Sequence, residues 1–452
     1  MRYSGDAGTV SYGSEEQKPR IFHGWFILAG ALLIVSIACS MRYSFSVFYA
    51  EILGEFGWSR AETAAAFSVG LLVYGISSPV VGTLVDKFGP RGVLLFGASL
   101  LASGLLAMSQ VNSIWLFYFL FGIVMAVGIN AIGFAVHAAY LPNWFVRRRA
   151  FAFGILLAGQ GAGNVLVGLY QRLIASFGWR AAYAVLAVIT FSVVMPLAVL
   201  LIRRTPQEKG LLPDGTAGSL AKEESSGVRE SSIDLLIINR EWATSEWTLV
   251  RALRTYRLWM MFLMFFSFSV ALNLILAHQP IYSQDIGFST MFAASIFALA
   301  GFTTIIGNLC GFISDRLGRE VTYILGVFGT IIAVVVLMSA TPSQPWLQYL
   351  YAVFWGISLG IGTTAIYPSL ADLFAGKHFG SINGFCMLGF GVGGAIGPWL
   401  GGHIFDVMKN YTLAFVIVIV MLGLSSIFLW VAAPRRVRSV TGKVPKLTAG
   451  VS

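Results

Sequence analysis

The sequence predicts an all-α membrane protein of twelve transmembrane helices in two pseudo-symmetric six-helix bundles, and three observations carry that prediction. Of its 452 residues 57% are apolar and only 11% charged, against about 45–50% and about 25% in a soluble domain. So few charges cannot coat a globule. Apolar runs of about 20 residues, the length that crosses a hydrocarbon core of about 30 Å, recur along the whole chain. Two separate segments also repeat at nearly one offset, as described below.

The runs lie within 24–50, 62–85, 92–110, 113–140, 150–175 and 180–202, then within 257–283, 288–313, 321–340, 346–374, 380–405 and 412–433. Residues 1–22 form a polar N-terminal tail without the apolar stretch and small-residue cleavage site of a signal peptide, so the first helix is expected to be retained. Residues 23–202 then make one six-helix bundle. The longest polar interval, 203–256, holds Pro206, Pro213, Gly215, Gly218 and the acidic-polar run Glu223 to Ser226, and reads as a linker. Its end, Glu246 to Arg257, is expected to form a short amphipathic surface helix. Residues 257–433 make the second bundle, and 434–452 a C-terminal tail. The fifty glycines suit helices that approach closely in lipid. Cys39, Cys310 and Cys386 stand at unrelated spacings in apolar stretches, so no zinc site or disulfide framework is expected.

The net charge of +10 concerns topology rather than nucleic acid. With both termini cytoplasmic, 25 of the 30 Lys and Arg fall on inside segments and four, Arg60, Arg172, Arg180 and Lys409, outside. That asymmetry is the positive-inside pattern. It implies a multi-pass protein of the cell (inner or plasma) membrane, with the bilayer as its partner and no nucleic acid. One cation, Arg42, is left inside a span.

The repeat is legible in two places. Gly82-Thr83-Leu84-Val85-Asp86-Lys87-Phe88-Gly89 matches Gly311-Phe312-Ile313-Ser314-Asp315-Arg316-Leu317-Gly318 at an offset of 229, and Gly154, Gly159, Gly161 and Gly163 match Gly384, Gly389, Gly391 and Gly393 at 230. Two segments agreeing on one period argue for homologous halves, an arrangement found in transporters whose site lies between the repeats. Gly82 and Gly311 permit close helix packing. Asp86 and Asp315 can accept backbone N–H bonds at a neighbouring helix N-terminus and pair with Arg91 or Arg319. Two copies on one side of the membrane point to a conformational latch.

These paired turns resemble the signature loop of the major facilitator superfamily, and the resemblance covers essentially the whole chain. Phe56-Gly57-Trp58-Ser59-Arg60, Trp144-Phe145-Val146-Arg147-Arg148-Arg149, Phe177-Gly178-Trp179-Arg180, Pro206 to Gly215 and Ala371-Asp372-Leu373-Phe374 narrow it. They resemble the monocarboxylate transporter and oxalate:formate antiporter-like branch, whose members move small organic anions. The resemblance implies the major facilitator fold and alternating access. It also shows departures: where those relatives carry an arginine in the eighth helix this chain has Gly307, and where the oxalate carriers carry a lysine in the eleventh it has Phe390. The lysine of the animal monocarboxylate transporters falls one position from Arg42.

A charge in lipid costs about 2.5–3.5 kcal/mol at mid-helix on insertion scales, so Arg42, in Cys39-Ser40-Met41-Arg42-Tyr43-Ser44, is the leading candidate for an anion. Its guanidinium holds a carboxylate bidentately and stays charged. Its competing role is to snorkel outward or pair with Glu51. Tyr43, Gln160, Asn164, Asn308 and Tyr367 are the expected companions that orient the substrate. All 20 Asp and Glu lie in loops or near helix ends, so a co-transported proton would travel with the substrate or use a histidine, His137 first. No cofactor or metal is expected. No phosphate-cradling loop, zinc-protease motif or serine elbow occurs, which disfavours a pump or an enzyme. The expected activity is secondary transport of a small organic anion, a monocarboxylate; the alternatives are a carrier of a neutral or other small solute, and a non-transporting sensor.

Overall fold

A computed structural model describes residues 22–58, 60–215 and 236–443. Residues 1–21 of the expected tail 1–22, the linker centre with Gly218 and Glu223 to Ser226, and residues 444–452 of the expected tail 434–452 lie outside the described residues. The rest is almost wholly helical. Among the described residues eleven helical stretches are long and apolar enough to cross a membrane, one fewer than the sequence predicts. The difference lies at Gly89, whose φ of 77° and ψ of 163° break the stretch 60–108 into two spans. Gly178 does the same between 149 and 200, with φ 78° and ψ 160°. Glycine reaches positive φ without a Cβ penalty, so a single residue turns each helix pair.

The first half comprises α1 (His23–Phe56), α2 (60–88), α3 (90–108), α4 (Ile114–Trp144), α5 (149–177) and α6 (179–200). The second comprises α7 (Tyr256–Asp285), α8 (Thr290–Leu309, continued by Phe312–Leu317), α9 (Arg319–Met338), α10 (Trp346–Phe374), α11 (Phe379–Met408) and α12 (Thr412–Ala432). The start of α1 and the end of the chain share one face, here the terminal face: His23 packs on Trp144, with ring centroids 6.0 Å apart, and the Thr441 hydroxyl donates to the Arg147 carbonyl at 2.9 Å.

The halves meet along two crossings, α2 with α11 and α5 with α8, related by the sequence repeat. A Cβ on Gly82 would overlap the Gly380 carbonyl, and one on Gly311 the Ala150 carbonyl. Deeper in, Gly384 sits on the Ser78 carbonyl and Gly154 on that of Asn308, then Gly391 on Gly75 and Gly161 on Ile305. Each contact recurs in the other half about 230 residues along the chain. Of the periodic glycines, Gly154, Gly161, Gly384 and Gly391 line the seam, where dispersion replaces the hydrophobic drive that lipid removes, while Gly159, Gly163, Gly389 and Gly393 pack on α1 or α7 of their own half.

The expected amphipathic helix at 246–257 is absent. Thr248 caps a single turn, Leu249–Leu253, and Thr255 turns extended before α7 starts at Tyr256. The linker is instead pinned to the C-terminal tail. Ile237 pairs antiparallel with Arg438, Ile238 N–H donates to the Val437 carbonyl (2.9 Å), and Ser439 N–H donates to that of Leu236 (2.7 Å).

Candidate functional site

Arg42 lies in the last turn of the first segment of α1, His23–Tyr43, and Ser44 carries the helix on with φ −62° and ψ −21°. Ser36, Ser40 and Ser44 recur every fourth residue and back-bond to carbonyls one turn below. Their face packs on α5: Ser40 bonds the Tyr170 hydroxyl at 2.6 Å, and Gly163 lies against Cys39 and Ser36. Two residues along a helix is about 200° of rotation. Arg42 therefore looks the opposite way from Ser40, toward α2 and α4.

There it borders a small recess walled by Phe67, Gly70, Leu71 and Tyr74 from α2 and by Phe121, Ala126 and Ile129 from α4. The guanidinium carbon stands 5.4 Å from the Tyr74 ring centroid. Among the described residues Arg42 has no ion pair and no side-chain hydrogen bond, to Glu51 or to any other group. A cation–π contact returns about 0.5–2 kcal/mol, less than the insertion cost of about 2.5–3.5 kcal/mol. The balance favours an anionic partner.

The wall next to Arg42 is irregular. α4 runs as a π-helix over Tyr118–Met125 and breaks at Gly133, whose ψ is −168°. Such departures from α-helix concentrate at functional sites.

The other expected site residues divide. Gln160 donates to the Tyr43 hydroxyl at 2.7 Å, so these two stand together on the α1–α5 side of Arg42. Asn164 is on α5, with its side chain outside the described residues. Asn308 is buried at the seam, its side-chain oxygen taken by the Thr363 hydroxyl at 3.0 Å. Tyr367 is buried in an aromatic stack with Phe134 and Phe153, at 4.3 and 5.7 Å, and its hydroxyl donates to the Met387 sulfur. Neither Asn308 nor Tyr367 lines the Arg42 recess. His137 is buried on α4 beyond Gly133, bonded through Nδ1 to the Tyr140 hydroxyl at 2.7 Å, and does not line it either. Position 307 has no room for any side chain, because Gly307 lies on the Ile357 carbonyl and on Gly360.

On the terminal face Asp86 accepts from the N–H groups of Gly380 and Ser381 (2.8 and 2.7 Å), which open α11 in the other half. Asp315 reciprocates, accepting from Ala150 and Phe151 (3.1 and 3.0 Å) at the start of α5. Each aspartate meets free N–H groups and the positive end of a helix dipole. Asp315 pairs with Arg319 at 2.7 Å, whereas Arg91 is exposed and forms no pair with Asp86. Sequence reasoning missed the centre of this face. Asp372 on α10 binds Arg149 of the first half through one oxygen and Arg319 of its own half through the other (2.9 Å), and all three side chains are at least nine-tenths buried. Arg204, also missed, spans the halves by donating to the carbonyls of Asp86 (3.1 Å) and Lys377 (2.7 Å). The tail crosses the same seam: Thr441 bonds Arg147, while Gly442 lies on the backbone of Arg316.

Two bundles of long apolar helices joined by a repeat-related seam define a multi-pass membrane protein of the two-bundle carrier class. The chain belongs to the Major Facilitator Superfamily, whose family model matches residues 31–368 and 309–452, and it is a transporter of that superfamily. It is similar to monocarboxylate transporter 13 of Bos taurus, at 24% identity over 404 residues, covering 87% of this chain and 85% of that one. It is also similar to the oxalate:formate antiporter of Oxalobacter formigenes, at 25% identity over 392 residues and 84% of each chain. Among solved structures, the proton:xylose symporter XylE bound to 6-bromo-6-deoxy-D-glucose superposes with a TM-score of 0.70 at 15% identity, covering 90% of this chain and 95% of that one. These relatives are transporters, not enzymes.

Proposed function

We propose that the protein is a secondary active transporter that moves a small organic anion, a monocarboxylate, by alternating access, with both termini in the cytoplasm. The observation that carries this reading is Arg42: a guanidinium within an apolar span, facing an apolar recess, with no carboxylate partner among the described residues. The transporters named above as relatives, by their titles, carry monocarboxylates or exchange oxalate and formate. Tyr43 and Gln160 stand beside the cation to orient the bound anion.

The terminal face supplies the gate. The hydrogen bonds between halves gather there and reach inward to Asn383, which donates to the Ala135 carbonyl at 3.2 Å. In this reading the structure represents the state closed to the cytoplasm. Asp86 and Asp315 latch it with Gly82 and Gly311, Asp372 pins Arg149 across the seam, and Arg319 holds Asp315 and Asp372 in place. Opening inward must break these bonds together and lift the tail from Arg147 or from Arg316. Arg91, exposed in the closed state, is left to pair with Asp86 once α11 has moved off.

A thermal-shift panel of carboxylates, amides and sugars on the purified protein tests the reading. Monocarboxylates are expected to stabilise it, and to stop doing so in Arg42→Ala. Stabilisation by neutral solutes alone would overturn it.

A further inference from the structure

Resting on that reading, we infer that Asn130 couples the anion at Arg42 to the latch on the terminal face. It is a positioning residue that ties α2 to α4 between the recess and the latch, so that a change at Arg42 moves the seam.

α2 carries one stripe from recess to latch. Tyr74, Ser78, Gly82 and Asp86 recur every fourth residue, the spacing that stacks side chains on one helix face. Tyr74 lines the recess under the Arg42 guanidinium. The Ser78 carbonyl lies against Gly384 of α11, Gly82 lies against the Gly380 carbonyl, and Asp86 accepts from the Gly380 and Ser381 N–H groups. The turn at Ser78 is softened, because Pro79 has no N–H and leaves the Gly75 carbonyl without its helical donor. α4 has a weak point of its own at Gly133, where the helix stops. Before it Ile129 lines the recess, and past it the Ala135 carbonyl accepts from Asn383 across the seam.

Asn130 fastens these two weak points together. The Ser77 and Ser78 hydroxyls donate to the Tyr74 carbonyl (3.1 and 2.8 Å), so both face Asn130 as acceptors. The fully buried Asn130 amide nitrogen donates to that carbonyl (3.0 Å) and to both hydroxyls (2.8 and 3.0 Å). A carbonyl can only accept, which fixes the way the amide points. Separating the helices here would leave buried polar groups unmade, so α2 and α4 move together at this level. The second half ties α8 to α10 at the matching place with the amide on the other helix. There the Thr363 hydroxyl donates to Asn308, and 308 and 363 lie 230 residues beyond 78 and 133. Neither of those residues borders the Arg42 recess, so coupling to the anion belongs to Asn130 and not to its counterpart. An anion on Arg42 draws the guanidinium off the Tyr74 face. With the Tyr74 backbone tied to α4, that displacement passes along the stripe to Ser78, Gly82 and Asp86 through contiguous contacts.

Spin labels at the exposed positions 148 and 377, on a background without the three native cysteines, read the terminal face. Binding is measured separately on the full-length protein with straight-chain monocarboxylates from acetate to hexanoate. In the parent the bound acid should shift the distance distribution. Asn130→Ala should bind the acid with nearly the parent's affinity, since Asn130 does not line the recess, and should lose the shift. Thr363→Val, which breaks the counterpart tie, should keep both. A folding defect does not separate binding from response in this way. Where Asn130→Ala does not fold, Ser77→Ala combined with Ser78→Ala removes the two hydroxyl acceptors, keeps the bond to the Tyr74 carbonyl and should diminish the shift. A shift that survives in Asn130→Ala, or undiminished in the double variant, overturns the inference. So does a loss of binding along with the shift, an equal loss of shift in Thr363→Val, or a parent that binds without any shift. Each of these leaves the anion reading standing. Binding of none of the acids by the parent overturns the anion reading, and this inference with it.

Discussion

Asp372→Asn removes the charge at the centre of the proposed gate. Both Asp372 oxygens are used, one by Arg149 across the seam and one by Arg319 within the second half. The Arg319 contact persists whichever way the halves rock, so the loss that distinguishes the two states is the Arg149 pair. Arg149 is 3% exposed and has no other carboxylate partner among the described residues. Removing one partner of a buried pair costs about 3–5 kcal/mol. At about 1.4 kcal/mol per factor of ten, the closed state should lose between about a hundredfold and a few thousandfold of its advantage. Spin labels at positions 148 and 377, both exposed on the terminal face, report the separation of the halves on a background lacking the three native cysteines. The variant should populate a longer distance that is rare in the parent. An unchanged distance distribution in folded Asp372→Asn would refute the reasoning, because the pair would then hold nothing shut.

The same label pair reads two further predictions, and a transport assay reads a third. Asp86→Asn and Asp315→Asn should each open the terminal face by similar amounts, about 2–3 kcal/mol, since each gives up a charge-assisted bond and a helix-dipole contact in symmetry-related settings; an effect from only one would contradict the reciprocal latch. Thr441→Ala combined with Gly442→Val should detach the tail from Arg147 and Arg316 and open the face more weakly, by about 1 kcal/mol, with no shift expected if the tail merely rests there. Arg42→Lys should keep partial uptake: it preserves the charge and loses the planar fork, so the apparent affinity falls about tenfold in a counterflow assay.

The architecture was legible because its causes are local. Twelve apolar runs, the glycine at each sharp turn and the repeat period all stand in the linear text, and four of the periodic glycines, Gly154, Gly161, Gly384 and Gly391, mark the seam by touching the opposite half. Arg42 was legible for the same reason, as an ionisable group in an apolar run. Its companions were only partly so. Tyr43 and Gln160 do meet, but Asn308 turns to Thr363 and Tyr367 to its aromatic stack, and the direction a polar helix residue faces is set by tertiary packing. Arg149 and Asp372 were hidden by distance and by asymmetry. They lie 223 residues apart, and one repeat period away stand Phe379 and Pro142, so the period that revealed Asp86 and Asp315 had nothing to match. Arg149 also read as a loop charge that sets orientation, although its side chain is buried in the seam.

Uptake of a labelled monocarboxylate into proteoliposomes holding the full-length protein or Arg42→Ala tests the central claim most directly. With comparable amounts of folded protein, the parent should take up the anion and Arg42→Ala should not. Full uptake by Arg42→Ala would contradict the claim that this cation receives the substrate.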